Sequence, residues 1–489
     1  MKRPIALSDE QERALGTSGD LKLQAFAGSG KSTVLFHYIK RNHLREKILY
    51  LSYSRDNRDS FAEKCSQAGL TAEVKTFHSI ALRSVFGNSR VKVEEKGSHT
   101  TAMMKAYLSG ELGRFTDKLQ NILAFHAKAL MSEYCKTTLK KLDEFDYLSL
   151  LSPDSATALK PYEGHLYGLA QAFGTKMHVQ QIPVTHDYYL KLFHNKGIVL
   201  PFDTILVDEV QDTSLCALDS IASQPACRKI YAGDIHQDIY GWRGTSRAMS
   251  NLDCQQLYLT ESYRFGPGIS LLANKLLALK NQLKGYSLQG EVIGKGPNAS
   301  VQQEAIISRT IAGVIEKGIE IIEKKVSAKI SYLGGLRHYI YHENGGGLLD
   351  VISLYNGRKP YDTFISTFDS FEDFEHYAIQ TEDHAYINYV KIAKKYGREL
   401  PRLFSALSER VKKVDHLDAD LVLTTAHRAK GCEYKHIMIC ADFQDVQKII
   451  KLPVNRRPTD ETINEEINVC YTAVTRAAER VTFDENFCN

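Results

Sequence analysis

A glycine-rich stretch near the start of the chain has the composition of a phosphate-binding loop. It reads AFAGSGKST over residues 25–33 and lies between an apolar run at 21–26 and a helical pattern at 34–41. Glycines between a strand and a helix let backbone N–H groups close around phosphate oxygens. In such a loop a lysine reaches the β- and γ-phosphates, and the following hydroxyl binds Mg²⁺. The alternative is an ordinary glycine turn. The nucleotide-binding residues predicted from this stretch are Ala27, Gly28, Ser29, Gly30, Lys31, Ser32 and Thr33.

An acidic pair follows a second apolar run, at residues 202–208. Nucleoside triphosphatases need such a pair opposite the phosphate loop, because Asp208 can hold Mg²⁺ through water while Glu209 polarises the attacking water. An isolated Asp-Glu at the end of a strand is common. Combined with the loop upstream, the pair indicates nucleotide hydrolysis.

Other polar and aromatic residues stand beside predicted strands or just upstream of the loop. Gln11 is either a surface glutamine or a reader of an adenine edge. Gln237 could bond the γ-phosphate or the attacking water. The ring of Tyr263 suits adenine, and Arg264 suits phosphate charge. Trp242, the single tryptophan, is either a packing residue or a base-stacking platform.

The elements that must position these residues are the strands of an α/β sheet. In such a sheet the carboxyl ends of the strands face the ligand crevice. Strands are predicted within residues 47–54, 73–79, 202–208, 229–233, 420–425 and 437–440. Tyr53 and Phe77 lie where two of these runs end, and each is either a core aromatic or a platform for bases.

Two long stretches lack the strand pattern. Residues 82–189 read as helical, which predicts either an insertion into the first α/β unit or a separate helical domain. Residues 314–415 also break the pattern and predict a second, mainly helical insertion. Beyond them, residues 465–480 are predicted to form a helix that carries Arg476. The chain thus reads as two α/β units, each interrupted once.

The composition is that of a soluble intracellular protein. Of 489 residues, 43% are hydrophobic and 25% charged, and no apolar run approaches the roughly 20 residues of a membrane span. Nine cysteines without a CxxC pair or metal-ligand spacing indicate reduced thiols and a reducing compartment. A net charge of +4 is compatible with a nucleic-acid partner without arguing for one.

Seven ordered sequence blocks resemble the UvrD/Rep type of superfamily 1 DNA helicases. They are residues 25–33, 76–79, 207–212, 233–244, 259–266, 424–434 and 465–477. The most specific patterns are Thr-x-His-x-Ala-Lys-Gly-x-Glu from Thr425 and Tyr-x-Ala-x-Thr-Arg-Ala from Tyr471. Residues 262–266 and 332–335 are similar to the catalytic core of the F-box DNA helicase branch. Since the helicase blocks begin so close to Met1, neither an F-box nor a role as a ubiquitin-ligase subunit is expected.

The resemblance implies a role for each candidate at the nucleotide. The residues that catalyse hydrolysis or contact the γ-phosphate would be Glu209 as the base, Lys31, Gln237, Arg264 and Arg476. The adenine would be held by Gln11 and Tyr263, and the ribose by Glu433. Mg²⁺ would be held by Ser32 and Asp208. The implied cofactors are therefore ATP and Mg²⁺.

The resemblance also implies a track for single-stranded DNA. The residues that would line it are Tyr53, Thr76, Phe77, His78, Trp242, Thr425 and His427. The chain departs from the family pattern at Phe26, where a small residue is common, at Cys432, where leucine is usual, and in the block at 53–56.

The implied fold class is α/β, with two RecA-like P-loop domains whose parallel sheets each carry a mainly helical insertion. The first domain would comprise residues 1–85 and 189–265, with the insertion at 86–188. The second would comprise residues 266–313 and 418–489, with the insertion at 314–417.

The implied function is an ATP-dependent DNA helicase or translocase that moves 3′-to-5′ on single-stranded DNA and unwinds duplex in repair, recombination or replication. One alternative is a translocase that strips proteins from single-stranded DNA and unwinds little. Another is a nucleotide-gated DNA-binding subunit of a larger repair or defence complex. The expected partners are single-stranded and partly duplex DNA, with no membrane. The expected location is the cytoplasm of a bacterium or phage host, or the nucleus in a eukaryote.

Overall fold

A computed structural model describes residues 6–87, 89–94, 98–241, 249, 251–297, 301–342, 346–412, 414 and 418–484. Strands and helices are numbered along the chain. The strands in the described residues are β1 Leu21–Ala25, β2 Ile48–Ser52, β3 Glu73–Thr76, β4 Thr204–Asp208, β5 Arg228–Gly233, β6 Gln255–Leu259, β7 Glu261–Ser262, β8 Ile293–Gly294, β9 Glu304–Ser308, β10 Ile330–Tyr332, β11 Leu421–Thr425, β12 Tyr434–Ile439 and β13 Ala477–Phe483.

Helices account for most of the remaining regular structure. The α-helices in the described residues are α1 Asp9–Gly16, α2 Lys31–Asn42, α3 Arg55–Gln67, α4 Phe77–Phe86, α5 Thr101–Tyr107, α6 Ser109–Leu112, α7 Asp117–Lys136, α8 Pro153–Leu159, α9 Glu163–His178, α10 His186–Lys196, α11 Leu215–Ala222, α12 Pro267–Ala278, α13 Ile311–Glu323, α14 Arg337–Ile340, α15 Leu348–Tyr355, α16 Phe371–Gln380, α17 His384–Tyr396, α18 Leu400–Val411, α19 Ala426–Ala429, α20 Val446–Ile450 and α21 Asp460–Val474.

The chain divides into two compact units, each made of several segments. The first unit comprises Met1–Gly87, Leu190–Gln302 and Ala429–Asn489, and the second comprises Asn88–Tyr189 and Gln303–Arg428. Both contain parallel strands and helices, so the predicted α/β class with parallel sheets is confirmed. The predicted bounds of the domains and insertions stay a prediction. None of the described helices is long and apolar enough to cross a membrane.

The first unit is built on a six-stranded parallel sheet with the order β3-β2-β4-β5-β1-β6. Every residue of β1, β2 and β4 is buried. Continuous apolar strands of this kind are expected where helices cover both faces of a parallel sheet. On one face Leu35 and Ile39 of α2 and Phe61 of α3 pack in one core with Leu206 and Ile230 of the sheet.

The strand register brings the candidate loops together. Asp208 at the end of β4 lies opposite Ser52 of β2 and Ala232 of β5, and Gly233 lies opposite Gln24 of β1. Since all these strands are parallel, their carboxyl ends share one edge of the sheet. The phosphate loop, the acidic pair and the turn that contains Gln237 therefore emerge side by side.

The last elements of the first unit correct one prediction. Residues 465–480 were predicted to be a single helix, but α21 ends at Val474 and β13 begins at Ala477. Strand β13 pairs in parallel with β12, and its β-branched and aromatic end favours a strand. Sheet pairing thus overrides the helical preference of the segment that starts at Ala477. As a result Arg476 lies in the turn after the helix and not on the helix.

In the second unit, three parallel strands pair in the order β10-β11-β9. Strand β10 lies inside the segment predicted to be a helical insertion, and three residues are too short to give a periodic pattern. The rest of that segment is mainly helical, as predicted, with α13 packed against β9 and β11. Within residues 98–178 of the same unit, the longest helices, α7 and α9, pack against each other.

Candidate nucleotide-binding and catalytic site

Two glycines in the loop between β1 and α2 adopt a backbone conformation that other residues rarely take. Gly28 has φ of 75° and Gly30 has φ of 85°. A Cβ atom at Gly28 would lie 2.6 Å from Cβ of Arg264 and 2.7 Å from Oγ of Ser262. At Gly30 it would lie 2.6 Å from Nε2 of Gln11. Both positions therefore require glycine, and α2 begins without a side-chain cap on its first N–H groups, as phosphate binding requires.

We expect Gly28→Ala to lower the melting temperature and to abolish measurable ATP binding. The methyl group would strain the left-handed backbone by about 1–3 kcal/mol and push against Arg264. Gly16→Ala is the matched control, because a Cβ there meets nothing within 4 Å. Calorimetric binding of ATP and thermal unfolding measure both effects. Equal ATP affinity in the two variants would contradict the role given to the loop.

The acidic end of β4 forms a compact polar cluster with the start of α2. The Asp208 carboxyl group is buried, and its Oδ2 accepts hydrogen bonds from Ser32 Oγ at 2.8 Å and Tyr50 Oη at 2.7 Å. Burial raises the pKa of Asp208, the Glu209 carboxylate raises it further, and Lys31 opposes both. Tyr50 escaped the sequence analysis because it lies in an apolar strand, where a buried tyrosine gives no signal.

These residues fit a magnesium ion. A buried carboxylate beside a hydroxyl is the protein part of a Mg²⁺ site that otherwise uses water and substrate phosphates. Among the described residues no group of three or more His, Cys, Asp or Glu could hold a metal on its own. One carboxylate and one hydroxyl leave the other positions around an octahedral Mg²⁺ to water and phosphate oxygens.

Glu209 is held next to Lys31 in a strained conformation. Its φ of 54° is unusual for a residue other than glycine and is often found at functional sites. Oε1 lies 3.5 Å from Lys31 Nζ, and Oε2 accepts a hydrogen bond from Gln211 Nε2 at 2.5 Å. Burial acts to raise the pKa of Glu209, but Lys31 and Lys430 together lower it to about 2. The carboxylate is therefore ionised.

Arg476 and Gln237 are bonded to each other. Arg476 is 1% exposed, and its Nη2 donates to Gln237 Oε1 at 3.0 Å. Its other hydrogen bonds go to Thr472 O and Thr475 Oγ1, so all three acceptors are neutral. Burial and the neighbouring Arg264 lower the pKa of Arg476 to about 9, which leaves it charged at neutral pH. Among the residues that the structure describes, its hydrogen-bond acceptors are all neutral, while the nearby Glu433 carboxylate raises its pKa without a direct hydrogen bond. A buried cation in this setting suits an anionic ligand.

Asp234 links this pair to the phosphate loop. Asp234 Oδ2 accepts from Gln237 Nε2 at 2.7 Å and from Tyr471 Oη at 3.3 Å. Tyr471 Oη in turn accepts from the Ala27 N–H at 3.1 Å. A continuous hydrogen-bonded chain thus runs from Arg476 to the loop.

A second, largely shielded ion pair contacts the backbone of Gln237. Lys430 Nζ donates to Asp212 Oδ1 at 2.5 Å and to the Gln237 carbonyl at 2.7 Å. Burial raises the pKa of Asp212 to about 6, with Lys430 opposing. The sequence analysis assigned no role to Lys430, Asp212, Asp234 or Tyr471, although all four lie within the sequence blocks that carried the resemblance.

The remaining residues predicted to bind the nucleotide form hydrogen bonds with neighbouring residues. Arg264 Nε donates to Glu433 Oε1 at 2.7 Å, and its Nη1 donates to Thr475 O at 3.2 Å. Gln11 is buried, and its Nε2 donates to Ser29 O at 3.1 Å. The Tyr263 N–H donates to Gly28 O at 2.9 Å, which puts this tyrosine beside the loop.

The loop residues not yet described also lie at this edge. Ser29 is buried, and Thr33 lies in the first turn of α2. The structure therefore brings together every predicted nucleotide-site residue in the first unit. Their roles stay a prediction.

The predicted DNA-track residues fall in both units. In the first, the rings of Tyr53 and His78 meet edge to face at 5.2 Å. Thr76 caps α4, while Phe77 is 2% exposed and packs in the core, as a structural aromatic does. Trp242 lies outside the described residues.

In the second unit, Thr425 ends β11 and its Oγ1 accepts from the Arg428 N–H at 3.3 Å. His427 follows in α19. Thr425 lies at the carboxyl end of a parallel strand and His427 just beyond it, where ligands of such sheets bind.

Comparison with known proteins identifies the family. The chain matches the UvrD/REP helicase N-terminal domain over residues 7–253, half of its length. It is 27% identical over 506 residues to F-box DNA helicase protein 1 of Schizosaccharomyces pombe, covering 95% of this chain and 55% of that protein. It is 25% identical over 515 residues to F-box DNA helicase 1 of Gallus gallus, covering 97% and 48%.

A bacterial relative is more distant. ATP-dependent DNA helicase PcrA of Staphylococcus epidermidis is 24% identical over 356 residues, which cover 66% of this chain and 46% of that protein. The chain thus spans about half the length of the curated relatives that it matches. The predicted resemblance is confirmed, and with it the class of two RecA-like domains: the chain belongs to the UvrD/Rep helicase family.

Proposed function

We propose that the chain is an ATP-dependent DNA helicase or translocase that moves 3′-to-5′ along single-stranded DNA. The observation that carries the proposal is Arg476, a buried guanidinium whose hydrogen-bond acceptors among the described residues are all neutral. Its partner Gln237 connects through Asp234 and Tyr471 to the phosphate loop. A triphosphate bound by that loop would give this cation an anionic hydrogen-bond acceptor, which none of the described residues supplies.

The proposed chemistry assigns each group one task. Lys31 and the loop N–H groups bind the phosphates, and Ser32 and Asp208 hold Mg²⁺, which neutralises charge on the transferred phosphoryl group. Gln237 and Arg476 stabilise the charge that develops on the γ-phosphate. Glu209 accepts the proton of the attacking water. Gln11 and Tyr263 hold the adenine.

Binding of the phosphates would also change Glu209. In the present arrangement the Lys31 ammonium lies 3.5 Å from the Glu209 carboxylate and is the main group that lowers its pKa. When Lys31 turns to the phosphates, that attraction weakens and the pKa of Glu209 rises. Glu209 would therefore become a better base only when substrate is bound.

Coupling of ATP hydrolysis to movement along DNA would use the aromatic and hydroxyl residues that were predicted to line the DNA track. Tyr53 and His78 offer rings on which bases can stack at about 1–3 kcal/mol each, independently of sequence. Such contacts let a motor step along a strand without reading it. The 3′-to-5′ direction is proposed from the family alone. The proposed setting is repair, recombination or replication in the cytoplasm, or in the nucleus of a eukaryotic cell.

The first test is steady-state ATP hydrolysis by the purified chain with and without single-stranded DNA. We expect strong stimulation by DNA, and no hydrolysis by Lys31→Ala, because the phosphates lose their main cation. Single-stranded RNA of the same sequence is the matched control for the polymer. Hydrolysis that ignores DNA but responds to RNA would reject DNA as the substrate.

A strand-displacement assay separates the remaining candidates. A helicase unwinds a duplex that carries a 3′ single-stranded tail and leaves one with a 5′ tail intact. A translocase that strips proteins displaces a bound protein from the tail but unwinds little. The presence of Lys31, Glu209, Gln237 and Arg476 in one site argues against a subunit that only binds nucleotide.

A further inference from the structure

A buried lysine lies next to the turn that contains Gln237. Lys280, in the turn after α12, is 3% exposed. Its Nζ is 2.9 Å from His236 Nδ1 and donates to Asn468 Oδ1 at 2.5 Å. Both partners are neutral groups. No described carboxylate forms an ion pair with Lys280, although those of Asp234 and Asp238 are near enough to raise its pKa. A buried lysine in such a setting is rare, because desolvation of the amine is costly. The cluster formed by Lys280, His236 and Asn468 is named the amine cluster below.

The amine cluster holds the turn that contains Gln237. His236 immediately precedes Gln237 in that turn. Asn468 Nδ2 donates to the carbonyl of Ile235 at 3.3 Å and to that of Asp238 at 2.8 Å. The amide thus bonds the backbone on both sides of Gln237, which restricts where the Gln237 side chain can lie.

Two residues of the amine cluster also lie on segments that neighbour, in the sequence, the other groups expected at the γ-phosphate. Asn468 lies on α21, eight residues before Arg476 in the sequence and on the helix that leads to it. Lys280 follows α12, which begins three residues after Arg264. The His236 ring stacks on Phe26 of the phosphate loop, with ring centres 5.4 Å apart. One buried cluster therefore contacts the turn that carries Gln237 and Phe26 of the loop, and Asn468 lies on the helix that precedes Arg476.

The bonding pattern is that of a fixed hydrogen-bonded unit. Burial lowers the pKa of His236 well below its usual value, and the neighbouring Lys280 lowers it further. His236 is therefore neutral and accepts at Nδ1 from Lys280. Burial also lowers the pKa of Lys280 to about 7, although the carboxylates of Asp234 and Asp238 act to raise it. Such a network is rigid only when every member is present.

We propose that Lys280, His236 and Asn468 are positioning residues that fix Gln237 relative to Arg476 for attack on the γ-phosphate. None of them is assigned a contact with the nucleotide. The inference rests on the proposed function, because it needs Gln237 and Arg476 to act on the γ-phosphate. It predicts that breaking the cluster lowers kcat while leaving ATP affinity nearly unchanged, since only transition-state geometry is lost.

The test uses Lys280→Met, which keeps the length of the side chain and removes its donors, in the full chain with single-stranded DNA. We expect kcat for ATP hydrolysis to fall about tenfold to hundredfold, with the Kd for ATP changed less than about threefold. Lys275→Met is the matched control, because Lys275 is exposed on α12, just before the turn that holds Lys280, and is expected to keep wild-type kcat.

A second variant shows whether the cluster acts as one unit. Asn468→Leu is expected to lower kcat similarly. The double variant Lys280→Met/Asn468→Leu is expected to have a kcat no lower than that of the less active single variant. Losses that multiply in the double variant would overturn the proposal, as would unchanged kcat in both single variants. If Lys280→Met does not fold, Asn468→Asp tests the same link, since it keeps the acceptor for Lys280 but loses the donors to the turn.

The outcomes separate this inference from the proposed function. A wild-type chain that hydrolyses ATP together with variants that keep full kcat would reject the amine cluster alone. A parallel fall in kcat and ATP affinity would also reject it, since that pattern indicates a structural role. A wild-type chain without hydrolysis would reject the proposed function and the inference with it.

Discussion

Replacing Arg476 by alanine is expected to lower kcat for ATP hydrolysis by about 10³ to 10⁵ fold, the range found for arginine fingers. The side chain is 1% exposed and donates to Gln237, and all of its acceptors in the part of the chain that the structure describes are neutral. Its charge is therefore available to the γ-phosphate, and a site shielded from water strengthens that interaction. ATP binding by the loop should persist, because the loop does not use Arg476.

The control for this variant is Arg480→Ala. Arg480 lies four residues further along, is exposed on β13, and should keep wild-type turnover. Stopped-flow measurement of a single turnover, with ATP affinity measured by calorimetry, separates chemistry from binding. A variant that binds ATP and turns over within tenfold of wild type would remove Arg476 from the reaction.

Glu209→Gln is expected to reduce hydrolysis by about 10² to 10⁴ fold and to leave ATP bound. The amide has nearly the same shape but cannot take a proton from water. It also no longer attracts Lys31, which lies 3.5 Å from the carboxylate. Lys31 is then free for the phosphates, so ATP should bind at least as tightly as in the wild-type chain.

Retention of bound ATP by Glu209→Gln is measured by filter binding of labelled ATP after several minutes. Glu73→Gln, at an exposed position on β3 of the same sheet, is the matched control and should release hydrolysed product normally. Full hydrolysis by Glu209→Gln would show that another group activates the water.

The sequence was most informative where chemistry needs a fixed order of residue types. The glycines, Lys31 and the acidic pair could be found because a phosphate loop and the strand opposite it tolerate few alternatives. The α/β units followed from the order of apolar runs and helical patterns, and the parallel sheets from the resemblance to the helicase family. These features depend on local sequence, which is why they could be read before any contact was known.

The features that escaped prediction depend on contacts between distant segments. Tyr50 and Tyr471 look like core tyrosines until the fold places one on Asp208 and the other on Asp234. The helix predicted to carry Arg476 ends early, because pairing of β13 with β12 outweighs helical preference. Lys280 gave no signal, since a single lysine in an amphipathic pattern normally points to solvent.

The pairing of Arg264 with Glu433 has a consequence for nucleotide exchange. The two charges lie 2.7 Å apart, with side chains 13% and 37% exposed. Under the proposed roles both must turn to the nucleotide, so the pair acts as an internal competitor that weakens the apparent affinity for ATP. The same competition speeds the departure of ADP, because the pair can re-form as the ribose leaves.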